Sequence, residues 1–221
     1  MRESKQAKIA RIYSEYSLLC KEIPKPKCAL NFSNPFELLI ATVLSAQTTD
    51  KRVNMVTPEL FSTFPNPKSL SKASAVQVES IIKSLGFYRV KARNIIALSA
   101  KLESDFNGVV PQNIEDLTSL PGVGRKTANV VRGNAFGLPG FPVDTHVMRV
   151  TGRLGWRKDW NKPNVRPDPV AIENEITSYF EPSEWTNLSH RLILHGRTIC
   201  TARNPKCASC PLRSTCPSAL L

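Results

Sequence analysis

A lysine and an aspartate in one basic stretch of the chain have the residue types and the spacing of a catalytic pair. Lys126 stands at the start of a predicted helix, and Asp144 follows 18 residues later, directly before another. Asp144 is the only acidic residue between positions 117 and 158, which also hold seven lysines and arginines. A neutral amine can attack an electrophilic carbon, and a carboxylate can accept a proton or face a developing positive charge. The pattern therefore favours chemistry over an ordinary solvated surface.

Lysine attacks only in its neutral form, and an ordinary lysine is almost wholly protonated at pH 7. Burial, the positive end of a helix and basic neighbours would each favour loss of the proton. A nearby aspartate would oppose that loss, so we assign Asp144 a separate task. The simpler alternatives are that Lys126 binds a phosphate and that Asp144 caps the next helix. Capping and catalysis are compatible.

The segment LPGVG before Lys126 predicts a tight turn that opens a helix. Gly122 and Gly124 tolerate backbone angles that other residues avoid, and Pro121 restricts its own φ angle. The first N–H groups of the helix, beginning near Arg125, have no partner within it. With glycines that let another backbone approach closely, these groups predict a phosphate site.

Four cysteines near the C-terminus have the spacing C-x6-C-x2-C-x5-C. They are Cys200, Cys207, Cys210 and Cys216. Four thiolates within 17 residues can hold Zn²⁺ or an iron–sulfur cluster, and the spacing alone does not decide between them. Arg203 and two further basic residues interleave with the cysteines, so this loop is also expected to touch phosphates.

Charge and composition indicate the class of partner. The 221 residues carry 30 Lys and Arg against 18 Asp and Glu, a net charge of +12, which favours a polyanion such as DNA. A ribosome-associated or membrane-surface protein would have the same bulk charge. The sequence has no apolar run long enough to span a membrane and no apolar signal core at its start. We therefore expect a cytoplasmic protein, where cysteines bind metal more often than they form disulfides.

The apolar periodicity predicts seven to ten helices and no sheet. Asn34-Pro35 is a helix start signal, and the apolar segment after it, FELLIATVLSAQ, is expected in the core. Asp50 is predicted to cap the next helix, and a Pro-rich loop, FPNPKSL, to follow it. Later segments predict a helix after Tyr88, a Pro-rich loop ending near Pro169 and a last helix from Ser183 to about Cys200.

The segments LPGVGRKTA and VDTHV, with SAQTTD at 45–50 and the four-cysteine spacing, resemble endonuclease III, a DNA glycosylase and AP lyase of the helix-hairpin-helix superfamily. The resemblance implies two α-helical lobes with a DNA-binding cleft between them. One domain would comprise residues 28–138, with the hairpin. The other would comprise 1–27 and 139–221, with an iron–sulfur cluster loop at the C-terminus.

The same resemblance implies roles for individual residues. Lys126 would attack the sugar carbon C1′ with the help of Asp144, and the four cysteines would hold a [4Fe–4S] cluster. Gln47 would enter the DNA stack beside an extruded nucleotide. Phe87 stands where the family has a leucine wedge, with a core phenylalanine as the alternative. His146 would lie near the sugar or a phosphate, a structural histidine being the alternative. With Lys91 and Arg93 also predicted to contact phosphates, the predicted DNA-binding residues are Gln47, Phe87, Lys91, Gly122, Gly124, Arg125, His146 and Arg203.

The implied activity is removal of oxidised pyrimidines from double-stranded DNA through a lysine Schiff base, followed by cleavage 3′ to the abasic site by β-elimination. The protein would act as a monomer on DNA containing damaged bases or abasic sites. One alternative is a glycosylase without lyase activity, although such relatives generally lack a lysine at the Lys126 position. The other is a non-catalytic, cluster-bearing DNA-binding protein, which the presence of both Lys126 and Asp144 argues against.

Overall fold

A computed structural model describes residues 3–159 and 166–220. These residues form eleven α-helices and two short 3₁₀ helices and contain no strand, so the predicted all-α class is confirmed. None of their helices combines the length and the apolar composition that a membrane crossing requires. Residues 160–165, within the predicted Pro-rich loop that ends near Pro169, lie outside the described residues.

The chain divides into two compact units. The central unit is Cys28–Gly140, and the terminal unit combines the residues up to Lys27 with those from Phe141 onward. The observed boundary after residue 140 lies two residues beyond the expected one after 138.

The central unit contains seven helices. They are α2 Pro35–Leu44, α3 Asp50–Thr63, α4 Pro67–Ser71, α5 Ala75–Ile82, α6 Tyr88–Phe106, α7 Ile114–Ser119 and α8 Arg125–Ala135. Helix α2 is the core element, with every residue from Leu38 to Leu44 buried, and it packs against α3, α6 and α8. Asn34 begins it as predicted, because its side-chain oxygen accepts a hydrogen bond from the Glu37 N–H at 3.0 Å.

The described residues of the terminal unit form four α-helices. They are α1 Lys5–Glu22, α9 Thr145–Arg153, α10 Pro169–Thr177 and α11 Trp185–Thr198. Helix α11 packs against α1 and α9. The apolar core of this unit includes Leu19, Trp156 and Leu192, and it also encloses a carboxylate. Glu15 is fully buried and accepts hydrogen bonds from Trp156 Nε1 at 2.5 Å and from Arg11 Nη1 at 3.2 Å.

Three local predictions were wrong. The Pro-rich segment after Phe64 contains α4, because Asn66-Pro67 repeats the start signal of α2 and Ser69 completes a capping box. Thr49, not Asp50, caps α3, and Asp50 is its first residue. The number of helices exceeds the predicted upper limit of ten, since short helices such as α4 lack the length to produce a periodic pattern.

Candidate active site and cluster-binding site

The hairpin lies in the central unit between α7 and α8. Pro121 and Gly122 occupy the corner of a turn closed by a hydrogen bond from the Val123 N–H to the Leu120 carbonyl at 3.1 Å. Gly122 has φ +77°, as the second corner residue of a type II turn requires. A Cβ at this position would also lie 3.1 Å from the Asn94 side-chain nitrogen on α6, so the Asn94 side chain would have to shift.

Helix α8 begins after Gly124, which provides no side-chain cap. A Cβ built at Gly124 would meet no heavy atom within 4 Å, so the space in front of the helix is open. Arg125 and Lys126 form the first turn, and both are exposed. Lys126 is therefore not buried, and it stands at the start of a helix as predicted. The positive end of a helix with two basic side chains in its first turn can receive a phosphate.

Gln47 and Phe87 both have left-handed backbone conformations in the central unit. Their φ angles are 53° and 57°, and both side chains are exposed, Phe87 by 67%. This exposure rules out the alternative of a core phenylalanine. The left-handed region is unfavourable for residues other than glycine and asparagine, and such strain concentrates at functional sites.

Lys91 is buried, which argues against its predicted role as a phosphate contact. The side chain is 5% exposed, and its Nζ donates a hydrogen bond to Thr48 Oγ1 at 2.7 Å. Arg93, two positions later on the same helix, is exposed. The helical period separates the two, because Lys91 lies four, seven and eleven residues before the buried Ile95, Leu98 and Leu102, whereas Arg93 falls on another face.

Asp144 lies in the terminal unit and caps α9. Its Oδ1 accepts a hydrogen bond from the Val147 N–H at 2.8 Å, as the capping alternative required. Within the described residues no hydrogen bond reaches Oδ2, and the side chain is half-buried. One oxygen therefore holds the helix while the other remains available to accept a proton or to face a positive charge.

His146 follows Asp144 by two positions and is fixed by Arg149. The Arg149 Nη2 lies 3.0 Å from His146 Nδ1, and since arginine only donates, Nδ1 accepts and the ring proton is on Nε2. The guanidinium also donates to the Gly196 carbonyl on α11 and to the Cys200 carbonyl just after that helix. His146 therefore has a structural partner, and its contact with DNA stays a prediction.

All four C-terminal cysteines line one cavity of the terminal unit, together with Arg153 and His195. None of them forms a disulfide. Arg153 Nη1 lies 3.4 Å from Cys200 Sγ, and His195 Nε2 lies 3.7 Å from Cys210 Sγ. Burial raises the pKa of the Cys210 and Cys216 thiols, so a cationic centre is needed to hold them as thiolates.

This donor set fits an iron–sulfur cluster. Among the described residues no three His, Cys, Asp or Glu side chains form a group that could hold one metal ion. A single tetrahedral zinc would draw its thiolates to within roughly 4 Å of one another, whereas a cluster is larger and keeps its ligands farther apart. Arg203 and Lys206, which belong to the loop between the first two cysteines, are exposed, as a phosphate-contacting loop requires.

Comparisons with known proteins agree with this arrangement. The family model for HhH-GPD superfamily base excision DNA repair proteins matches residues 40–180. A model for the iron–sulfur binding domain of endonuclease III matches residues 200–216. The endonuclease III of Synechocystis sp. is 45% identical over 208 residues, 93% of this chain and 92% of that protein. The endonuclease III of Escherichia coli K12 is 42% identical over 194 residues, 87% of this chain and 88% of that protein.

A solved structure of a trapped endonuclease III–DNA covalent intermediate is 43% identical, covers 96% of each chain and has a TM-score of 0.89. The fold, the hairpin and the cysteine loop thus define a helix-hairpin-helix base excision repair protein. Within that superfamily, the chain belongs to the endonuclease III family. It is a DNA-binding enzyme of the DNA glycosylase and AP lyase class, and its cofactor is a [4Fe–4S] cluster.

Proposed function

We propose that the protein excises oxidised pyrimidines from duplex DNA with Lys126 as the nucleophile, and then cleaves the strand on the 3′ side of the abasic site. The observation that carries the proposal is the position of Lys126. It is an exposed amine in the first turn of a helix with no side-chain cap, directly after a type II turn. The relative captured as a covalent intermediate with DNA supports attack by an enzyme nucleophile in this family.

In the proposed reaction the Lys126 Nζ lone pair attacks C1′, and the bond from C1′ to the base breaks with its electron pair going to the base. Asp144 faces the positive charge that develops on the sugar and can accept a proton through Oδ2. The Lys126 nitrogen then gives up a proton, and the C1′–O4′ bond breaks with its electron pair going to O4′, which takes up a proton. The opened sugar is left joined to Lys126 as a protonated imine. Loss of a proton from C2′ then expels the 3′ phosphate by β-elimination, and water releases the lysine.

The hairpin N–H groups and Arg125 bind the phosphates flanking the lesion, while Gln47 and Phe87 fill the space left by the extruded nucleotide. The four cysteines hold the cluster, which organises the C-terminal loop and presents Arg203 to the DNA backbone. Hydrolysis of an N-glycosidic bond requires no electron transfer, so we assign the cluster a structural task.

Borohydride trapping tests the nucleophile. Borohydride reduces an imine to a stable amine, so the wild-type protein turning over on lesion DNA should become covalently attached to it. Lys126→Gln keeps a polar side chain of similar reach without an attacking amine, and should bind lesion DNA but neither trap nor cut it. Lys5→Gln is the matched control, because Lys5 is an exposed lysine in the first turn of α1, and it should trap at the wild-type level.

Asp144→Asn tests the carboxylate. The asparagine oxygen can still cap α9, so the fold should persist, while base excision should fall by about 10²–10⁴-fold. Trapping on a preformed abasic site should fall less, since no base has to leave. Cross-linking by Lys126→Gln would show that another amine is the nucleophile. Base release by the wild-type protein without strand cleavage would indicate a glycosylase without lyase activity.

A further inference from the structure

Two exposed segments of the central unit hold strained residues at their tips. Four residues other than glycine have positive φ angles among those described, and two of these are asparagines, which tolerate the left-handed region. The other two are Gln47, in the turn between α2 and α3, and Phe87, directly before α6. Glutamine and phenylalanine gain nothing from this conformation, so the surrounding structure must impose it.

Lys91 is bonded to both segments. Its backbone N–H donates to the Phe87 carbonyl at 3.1 Å, which forms the first turn of α6. Its side chain crosses to the other segment and donates to Thr48 Oγ1 at 2.7 Å. The Thr48 hydroxyl in turn donates to the Ala46 carbonyl at 3.4 Å, so the relay from Lys91 reaches both chain neighbours of Gln47.

The surroundings of Lys91 are unusual for a lysine. It is the only Lys, Arg, Asp or Glu side chain buried in the central unit, all of whose residues the structure describes. No acidic side chain pairs with it among the described ion pairs, and burial lowers the pKa of Lys91 with no opposing charge. Burying an ammonium without a counter-ion lowers the stability of the folded state, and an apolar side chain of the same length would not carry this cost. A role in stability therefore does not account for the lysine.

A phosphate contact does not account for it either. Lys91 as a whole is buried and its ammonium already donates to Thr48, whereas Arg89 and Arg93 on the same helix are exposed. The two hydrogen bonds of Lys91, to Thr48 and to Phe87, instead link the two loops and can fix the distance between them. We call this link the clamp. Both loops carry the side chains that we assign to the DNA stack.

We propose that Lys91 is a positioning residue, which holds the turn bearing Gln47 and the turn bearing Phe87 at a fixed separation so that both side chains enter the damaged duplex together. This inference rests on the proposed function for the roles of Gln47 and Phe87. The clamp acts before any bond changes, because it sets the geometry in which a nucleotide is extruded.

Two substitutions each remove the hydrogen bond between Lys91 and Thr48, one by removing its donor and the other by removing its acceptor. Lys91→Met keeps the stem and removes the ammonium, and Thr48→Val keeps the shape and removes the acceptor. Thr48→Ser restores a hydroxyl and is the conservative variant. Lys101→Met is the matched control, since Lys101 is on the same helix but pairs with Asp105 in the outer part of α6.

Four measurements are made on the cluster-loaded proteins. The first is the single-turnover rate of excision of an oxidised pyrimidine from duplex DNA. The second is the fluorescence of a 2-aminopurine placed opposite a stable abasic analogue, which reports insertion of side chains into the stack without any chemistry. The third is the salt dependence of DNA binding, and the fourth is the melting temperature.

Lys91→Met and Thr48→Val should each slow excision by roughly 10- to 100-fold, the scale of a small misplacement of reacting groups. Both should lose most of the 2-aminopurine signal, and the double variant should be no slower than either single one. The salt slope should be unchanged, and the melting temperature of Lys91→Met should be equal to that of the wild type or higher. Thr48→Ser and Lys101→Met should resemble the wild type.

Wild-type excision by Lys91→Met would overturn the clamp, and so would a salt slope reduced by about 1, the signature of a lost phosphate contact. A lower melting temperature with normal activity per folded molecule would show a purely structural role. If Lys91→Met does not fold, the two Thr48 variants still test the inference. Equal excision rates for Thr48→Val and Thr48→Ser would overturn it, whereas slow excision by Thr48→Val with wild-type excision by Thr48→Ser would support it. Absence of wild-type excision and trapping would instead refute the proposed function, and the abasic-analogue fluorescence would still test the clamp.

Discussion

The two units of the molecule differ in how they treat buried charge. Among the described residues the terminal unit buries several ionisable side chains, namely Glu15, Arg157, Glu173, Arg191 and His195, whereas the central unit buries only Lys91. The central unit is otherwise closed by apolar side chains around α2. The same chain thus uses two different ways to join helices.

The two units also differ in what joins segments that are distant in the sequence. In the central unit the distant helices α2 and α8 pack together through apolar side chains. The terminal unit must attach α1 to segments more than 140 residues away. It does so with directional bonds, such as Trp156 Nε1 to Glu15 and Arg11 Nη1 to the Leu154 carbonyl at 2.7 Å. Arg191 likewise donates to the Ile23 carbonyl at 3.1 Å. Directional bonds specify a register that apolar contact alone leaves open.

The largest expected effect is loss of the cluster from the terminal unit. Cys207→Ser removes one of the four proposed ligands, so iron should fall from about four atoms per chain to nearly none, with loss of the visible absorption. DNA binding should weaken because the loop bearing Arg203 loses its support. Cys20→Ser is the control, since Cys20 is a half-buried thiol packed on the core of the same unit. Zinc without iron in anaerobically prepared wild-type protein would contradict the cluster.

A pair of substitutions of similar volume compares the two cores directly. Glu15→Leu leaves Trp156 Nε1 without its acceptor, while Arg11 still bonds to Glu3 and to the Leu154 carbonyl, so it should lower the free energy of unfolding by about 1–3 kcal/mol. Leu39→Met in α2 exchanges one apolar side chain for another and should cost less than about 1.5 kcal/mol. Chemical denaturation measures both, with iron content as the check that the cluster is retained. An equal cost would remove the distinction between the two cores.

A smaller effect is expected at the start of the core helix. Asn34→Ala removes the cap of α2, leaves the Glu37 N–H without its acceptor and should cost about 1 kcal/mol. Asp168→Ala removes the cap of α10. The Asp168 Oδ1 accepts a hydrogen bond from the Val170 N–H at 2.9 Å, but Asp168 is exposed, so water can replace its carboxylate. Thermal unfolding should therefore rank Asn34→Ala as the more harmful of the two. The reverse order would mean that the terminal unit limits global stability.

The smallest effect concerns acid sensitivity of the terminal unit. Burial, and then the positive charge of Arg197, lower the pKa of His190 from its ordinary value of 6.5. As the pH falls below 6.5, His190 takes up a proton in the unfolded chain but stays neutral in the folded protein. The free energy of unfolding therefore decreases as the pH falls below 6.5. His190→Gln should reduce this loss by at most about 1.4 kcal/mol per pH unit.

Melting temperatures at several pH values between 7 and 5 measure the difference. Part of the dependence of melting temperature on pH should remain in His190→Gln, because burial also lowers the pKa of His195, to about 4. An unchanged slope would assign the acid sensitivity to His195 and the carboxylates.

Local sequence determined much of this protein. Asn34-Pro35 specified a helix start, Pro121-Gly122 specified a turn, and the four cysteines specified a cofactor loop, because each signal depends on bonds within a few residues. The repeated start signal at Asn66-Pro67 was present as well, although its helix was too short to predict from periodicity.

Only the tertiary structure decided which individual charged and aromatic side chains are buried and which are exposed. Lys91 shares a helical face with the buried Ile95 and Leu98, yet lysine favours water, and only the packing shows that it is buried. Phe87 is exposed in a left-handed conformation although its residue type favours the core, and Glu15 is buried although its type favours water. The physical reason is common to all three. Desolvation and backbone strain are set by partners distant in sequence, and those partners are known only once the helices have packed.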